Sequence, residues 1–209
     1  MKAEREHAEL VALIAWIDER TTGLVLPADE RSLLATGCFD VALEHQAAIA
    51  LLHHAELPGS MLALLRVLSE SLVRGLWLLH CANDTEIQKF KRGSLDKKFD
   101  RLVTEFELKI GTPEGVLSGF KIAAWKAMND FTHTGFMQVS RRHGPGRVEA
   151  TYAEHEIAQC LDVAGAIGMI AAYQLVGLSD RNDLLPSFRA RMNLYSAGHV
   201  PVEKWTSGH

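Results

Sequence analysis

The chain has 209 residues, a length that fits one domain with short appendages. Hydrophobic residues make up 47% of it and charged residues 23%, so a sizeable core is available and a disordered chain is excluded. The formal net charge of −4 argues against a protein whose main task is to coat nucleic acid through a basic face, although local basic patches stay open.

Helical periodicity dominates the chain, and strand alternation is almost absent. We therefore predict an all-α protein, an antiparallel helical bundle of five to seven helices with a small β-hairpin insert near residues 136–152. The predicted helices cover residues 3–20, 29–54, 60–81, 95–110, 113–135, 154–178 and 183–198. Residues 1–28 are expected to form an N-terminal helix and linker, residues 29–178 the bundle domain, and residues 179–209 a C-terminal helix and tail.

Several local signals set these boundaries. Asp29 is a side chain suited to cap the second helix. The tight turn Leu57-Pro58-Gly59-Ser60 predicts that the second and third helices are antiparallel, with Ser60 as the cap of the third. Thr112-Pro113-Glu114 looks like a helix start with proline in the first turn. Glycine on both sides of Pro145 indicates the hairpin turn.

The segment Val163–Leu178 is uncharged, but its sixteen residues fall short of the about 20 that a membrane-spanning helix needs. Ala164, Gly168 and Ala172 recur every four residues and form a flat strip for close helix packing. We expect a core or dimer helix, a homo-oligomer and no membrane insertion. Three widely separated cysteines without a Cys-x-x-Cys pair, and no signal peptide, predict a cytoplasmic protein with reduced thiols.

The third helix carries Arg66, Glu70 and Arg74 at four-residue spacing among apolar residues. Such a stripe is at least partly buried, and Glu70 can pair with either arginine. One interpretation is an ion-pair ladder that fixes how the helices dock. The other places one spare arginine near His133, as an anion or phosphate contact.

A polar cluster closes the next long apolar helix: Asn129, Asp130, Thr132 and His133 within the segment 125–135. A helix end of this kind can hold an imidazole in one orientation and set its protonation, as a catalytic or ligand-binding histidine requires. The same residues are equally suited to satisfying the last carbonyl groups of the helix.

With these residues, the stretch from about Arg31 to Leu178 resembles the HEPN superfamily (higher eukaryotes and prokaryotes nucleotide-binding), and looks closest to uncharacterised bacterial families at its edge. Members that cleave RNA use an arginine, a following polar residue and a histidine four residues later. Asn129 and His133 match the last two positions, whereas Met128 stands at the arginine position. The resemblance implies an RNA-directed protein of defence or toxin type. His133 would act as acid/base and Asn129 would orient it, with Lys126 or an arginine of the third helix as the cation.

Further candidate ligand contacts are Asp130 in the cluster and Arg141 and Arg142 beside the hairpin turn, which either bind phosphates or are solvated turn residues. No metal, nucleotide-loop or serine-hydrolase motif occurs, so no cofactor is expected. Two hypotheses remain. One is the RNA-directed protein, ribonuclease-like or RNA-binding. The other is a non-enzymatic helical module for a protein or ligand partner, in which Asn129 and His133 are structural.

Overall fold

The structure, a computed structural model, describes residues 1–113 and 115–198, without the side chains of residues 196–198. These residues form nine α-helices, one short 3₁₀ helix (Asn182–Leu184) and one short hairpin. The helices are α1 (Lys2–Thr21), α2 (Glu30–His54), α3 (Pro58–His80), α4 (Asp84–Lys91), α5 (Phe99–Lys109), α6 (Val116–Thr132), α7 (Phe136–Ser140), α8 (Glu154–Leu178) and α9 (Leu185–Gly198). In the hairpin, β1 (His143–Gly144) pairs antiparallel with β2 (Arg147–Val148). The prediction of an all-α bundle with a hairpin insert is confirmed.

The helix count exceeds the predicted five to seven because two short segments each form a helix of their own. Asn83 and Glu86 form a reciprocal capping box that starts α4. The second is α7, which begins directly after the turn at Gly135 and precedes the hairpin. Both segments are too short for a periodicity argument, so the sequence pattern alone does not reveal them.

Three predicted helix starts need correction. The third helix begins at Pro58, with Leu57 as its cap, so Ser60 lies inside the helix instead of capping it. The fifth helix begins at Phe99 rather than residue 95. The sixth begins at Val116 with Gly115 as its cap, and Glu114 of the predicted start lies outside the described residues. The predicted tail after residue 198 also lies outside them.

Helices α2 and α3 form the antiparallel pair at the centre of the bundle. The carboxylate of Asp29 accepts a hydrogen bond from the Ser32 amide at 3.1 Å, as predicted for the cap of α2. Toward the same end of the pair, Gly75 of α3 packs on the ring of Phe39, where a Cβ atom would lie only 2.5 Å from the ring. Phe39 is fully buried as a result.

The small-residue strip of α8 is buried inside the chain. Ala164 and Ala172 have no exposed surface, and a Cβ atom on Gly168 would lie 2.2 Å from the Gln46 side chain of α2. The strip therefore serves packing between helices of one chain, and the predicted self-association stays a prediction. By length and composition, α8 could cross a membrane, but most of its apolar window is buried, as in the core helix of a bundle.

Candidate functional site

The face of α3 that bears Arg66, Glu70 and Arg74 lies partly exposed between α2 and α6. The Nε of Arg66 donates to Oε1 of Glu70 at 3.0 Å, and both side chains are half-buried. Arg74 turns away from Glu70, and its guanidinium carbon lies 5.8 Å from the centre of the Phe90 ring. The predicted ion-pair ladder therefore consists of one pair, with Arg74 outside it.

The end of α6 displays His133 at the surface. His133 is the residue after the last helical position, and its amide still donates to the Asn129 carbonyl at 3.0 Å. Thr134 then adopts a left-handed conformation with φ of 56°, and the Gly135 amide returns to the Asp130 carbonyl at 2.7 Å. This is a Schellman-type helix end, and it leaves the imidazole of His133 exposed.

The guanidinium of Arg66 contacts Nε2 of His133 across the interface between α3 and α6. The same guanidinium lies over the indole of Trp125, 5.1 Å from the ring centre. Because arginine only donates hydrogen bonds, Nε2 must accept and the proton of the neutral ring must sit on Nδ1. Glu70, Trp125 and Arg66 therefore hold His133 in one orientation and one tautomer.

Met128, at the position where the resemblance places an arginine, is buried with no exposed surface. Its sulfur lies 3.8 Å from the Ser69 hydroxyl of α3. This position points into the bundle, so an arginine there would be buried instead of reaching His133. The cation that contacts His133 comes from α3.

Lys126 and Asn129, the other two predicted catalytic residues, do not contact the His133 ring. Lys126 is exposed, two turns before His133 on α6, and has no ion pair among the residues the structure describes. Asn129 keeps its side-chain oxygen buried without a hydrogen-bond partner, and within the same residues no hydrogen bond joins that side chain to the imidazole. An orphan acceptor of this kind is uncommon in a folded protein.

Asp130 and Arg141 are engaged in structural contacts. The Asp130 carboxylate accepts a hydrogen bond from the Met137 amide at 3.0 Å and so caps the N-terminus of α7. Arg141 forms a buried, multiply bonded ion pair with Glu156 at the start of α8, including a 2.9 Å contact from its Nε. Neither side chain is available to a ligand without breaking these contacts.

Arg142 is exposed and lies over the ring of Tyr152, with 5.6 Å between the guanidinium carbon and the ring centre. Burial raises the pKa of the Tyr152 phenol, and the nearby Arg142 charge opposes that shift. A Cβ atom on Gly59, in the first turn of α3, would lie 2.5 Å from Arg142. Arg142 therefore packs beside the first turn of α3, the helix that carries Arg66.

The described part of the chain contains no group of three His, Cys, Asp or Glu side chains suited to a metal ion. Fold and site together define an all-α helical-bundle protein with an arginine–histidine contact at one exposed helix end. Residues 39–197 match a family of unknown function, DUF6988, and the chain belongs to that family. No curated protein and no solved structure matches it.

Proposed function

We propose that this protein acts on RNA as a HEPN-like ribonuclease, with Arg66 and His133 as its phosphate site. The proposal rests on the contact between the Arg66 guanidinium and Nε2 of His133. Arg66 of α3 supplies the cation that the motif on α6 lacks, and it lies next to a histidine that faces solvent. Guanidinium and imidazole side by side suit a phosphodiester, because one neutralises charge and the other transfers a proton.

In the proposed reaction, Arg66 turns its donors to the two non-bridging oxygens of the phosphate and releases Nε2 of His133. That nitrogen then takes the proton of the RNA 2′-hydroxyl as its oxygen attacks phosphorus. The bond from phosphorus to the 5′ oxygen breaks, and His133 returns the proton to this leaving oxygen. The products are a 2′,3′-cyclic phosphate and a strand with a 5′-hydroxyl.

Two further residues support an RNA ligand. Lys126 and Arg142 are exposed cations on α6 and beside the first turn of α3. Phosphates on either side of the cleaved one would find positive charge there.

The alternative, a non-enzymatic helical module that binds a protein or ligand partner, is favoured by one observation. Asp130 and Arg141, two members of the polar set, are used to fix α7 and the hairpin against the bundle. If His133 served the same purpose, His133→Ala would lower thermal stability, and the wild-type protein would have no nuclease activity to lose.

The test is cleavage of a fluorescently labelled single-stranded RNA by purified wild-type protein and by His133→Ala and Arg66→Met. General acid–base catalysis contributes about 10²–10⁴-fold and a donor that stabilises transition-state charge about 10²–10³-fold, so we expect both variants to lose at least about 100-fold in rate. His54→Ala, which removes an exposed histidine of α2, is the matched control and should cleave like wild type. Unchanged cleavage by His133→Ala, or none by wild type, would contradict the proposal.

A further inference from the structure

An open groove runs between α2 and α3, on the other side of Glu70 from His133. Its volume is about 490 Å³, within the range of small-molecule sites. Its walls are mainly apolar: Leu33 and Val41 from α2, Val67 from α3, and Phe90 from α4 at one end. Nothing in the proposed RNA chemistry uses this groove.

The groove exists because Gly37 leaves a gap in the exposed face of α2. Leu33, Gly37 and Val41 follow one another at four-residue spacing, so they share one face of the helix. Leu33 is 55% exposed and Val41 is 41% exposed, whereas a Cβ atom on Gly37 would touch nothing within 4 Å. Two exposed aliphatic side chains with an empty turn between them form an apolar wall that is open to solvent.

Two charged side chains line the groove, Glu70 and Arg74, and of these Glu70 is already paired with Arg66. Arg74 has no carboxylate within 4 Å among the described residues, because Glu70, one turn before it, is bonded to Arg66. Arg74 lies about 12 Å along α3 from Arg66, so it does not share the His133 site. Its guanidinium rests over Phe90, which leaves hydrogen-bond donors for another group.

We propose that this groove binds a small organic anion with an apolar body, such as a medium-chain carboxylate. The carboxylate accepts hydrogen bonds from the guanidinium of Arg74, and the chain lies in the space above Gly37 between Leu33 and Val41. Charge complementarity favours an anion over other molecules of the same shape. An uncharged molecule would fit the apolar walls but leave Arg74 unpaired, and a cationic one would be repelled by Arg74.

The test is calorimetric titration of the full-length protein with decanoate, compared with decan-1-ol and decyltrimethylammonium, all below micelle-forming concentrations. We expect decanoate to bind at least about tenfold more tightly than the other two, since a hydrogen bond between two charged groups is stronger than one that involves a neutral group. At Gly37 a Cβ atom meets nothing within 4 Å, so Gly37→Leu places its side chain in the groove and should abolish binding. Arg74→Gln should remove the preference for the anion.

The matched control is Gly119→Leu on α6, where a Cβ atom also meets nothing within 4 Å, and it should bind decanoate like wild type. Cys38 lines the groove and reports occupancy, because bound decanoate should slow its alkylation by iodoacetamide while the alkylation of Cys81 stays unchanged. Three results would each overturn the proposal: decanoate binding retained in Gly37→Leu, equal affinity for all three probes, or no binding by wild type. None of these measurements depends on RNA cleavage.

Discussion

Arg66 and His133 are 67 positions apart in the sequence, and the guanidinium of one contacts the imidazole of the other where α3 meets α6. Glu70 and Trp125 hold the arginine from two sides. The histidine is therefore oriented by a neighbouring helix and not by the polar residues of its own helix end. Supporting contacts of this kind keep a reactive side chain in one geometry before a ligand arrives.

Arg141 and Arg142 are adjacent but should respond very differently to substitution. Arg141→Met leaves the Glu156 carboxylate buried without its partner, which we expect to cost about 3–5 kcal/mol of unfolding free energy. Arg142→Met removes an exposed charge and should change stability by less than about 0.5 kcal/mol. Urea unfolding of both variants checks the difference, and equal losses would contradict the role assigned to the Arg141–Glu156 pair.

Glu105 should make stability depend on acid pH. Although partial burial works against it, hydrogen bonds from Lys97, Trp77 and Arg101 hold the pKa of Glu105 at about 2. A carboxyl group with a lowered folded-state pKa stabilises the fold above its unfolded value of about 4.5, and this contribution is lost as the pH falls toward 2.

Glu105→Gln should therefore lower the unfolding free energy by about 1–2 kcal/mol at pH 7, with the difference from wild type shrinking toward pH 2. Chemical denaturation across this pH range measures it. Glu44→Gln, at an exposed position of α2, is the control and should differ little from wild type at any pH. A deficit that stays constant with pH would show that ionisation of Glu105 is not the cause.

Alanine substitutions at Gly168 and Gly119 distinguish the effect of close packing from the effect of helix propensity. Gly168→Ala places a methyl group 2.2 Å from Gln46 in the buried strip of α8 and should destabilise the protein by about 1–3 kcal/mol. Gly119→Ala lies on an open face of α6 and should stabilise it by about 0.5–1 kcal/mol. Melting temperatures of the two variants check the expected decrease for Gly168→Ala and the expected increase for Gly119→Ala. A neutral Gly168→Ala would mean that the Gln46 side chain moves aside at little cost.

Thr134, next to His133, is a β-branched residue in the left-handed region at φ of 56°. Such a residue carries strain of about 1–2 kcal/mol, which glycine avoids at the cost of about 0.5–1 kcal/mol of chain entropy. Thr134→Gly should therefore raise the unfolding free energy by about 0.5 kcal/mol. In contrast, Gly135→Ala should lower it, because a Cβ atom there would lie 2.4 Å from the Asp130 carboxylate. Denaturation curves give the unfolding free energies of the two variants. A Thr134→Gly variant less stable than wild type would contradict the claim that the Thr134 backbone is strained.

Much of the fold follows from the sequence because it depends on local signals. The cap at Asp29, the breaks around the long helices and the glycines flanking Pro145 each act within a few residues. They were sufficient to predict the all-α class, the span of α8 and the hairpin. The predicted starts of α3, α5 and α6 differ from the observed ones by two to four residues, since no side-chain cap hydrogen bond marks the start of any of these helices.

The site was harder to predict because it depends on how two helices are rotated against each other. The helical periodicity of the sequence does not by itself predict that Met128 faces Ser69 inside the bundle while His133 faces outward. The periodicity also does not predict that Arg66 contacts the imidazole of His133 and that Arg74 does not. Asp130 and Arg141 looked like ligand contacts because their partners, the Met137 amide and Glu156, become neighbours only after α7 and the hairpin fold back.

The central claim is that an RNA phosphate inserts between Arg66 and His133, and side-chain ¹⁵N NMR of the histidines tests it most directly. The ligand is a mixed-sequence oligonucleotide with 2′-O-methyl groups, which binds without being cleaved. In the free protein, His133 should carry its proton on Nδ1. The oligonucleotide should shift the Nε2 resonance of His133 in wild type but not in Arg66→Met, and His54 should not respond. An oligonucleotide that binds without moving the His133 signals, or that does not bind at all, would contradict the account.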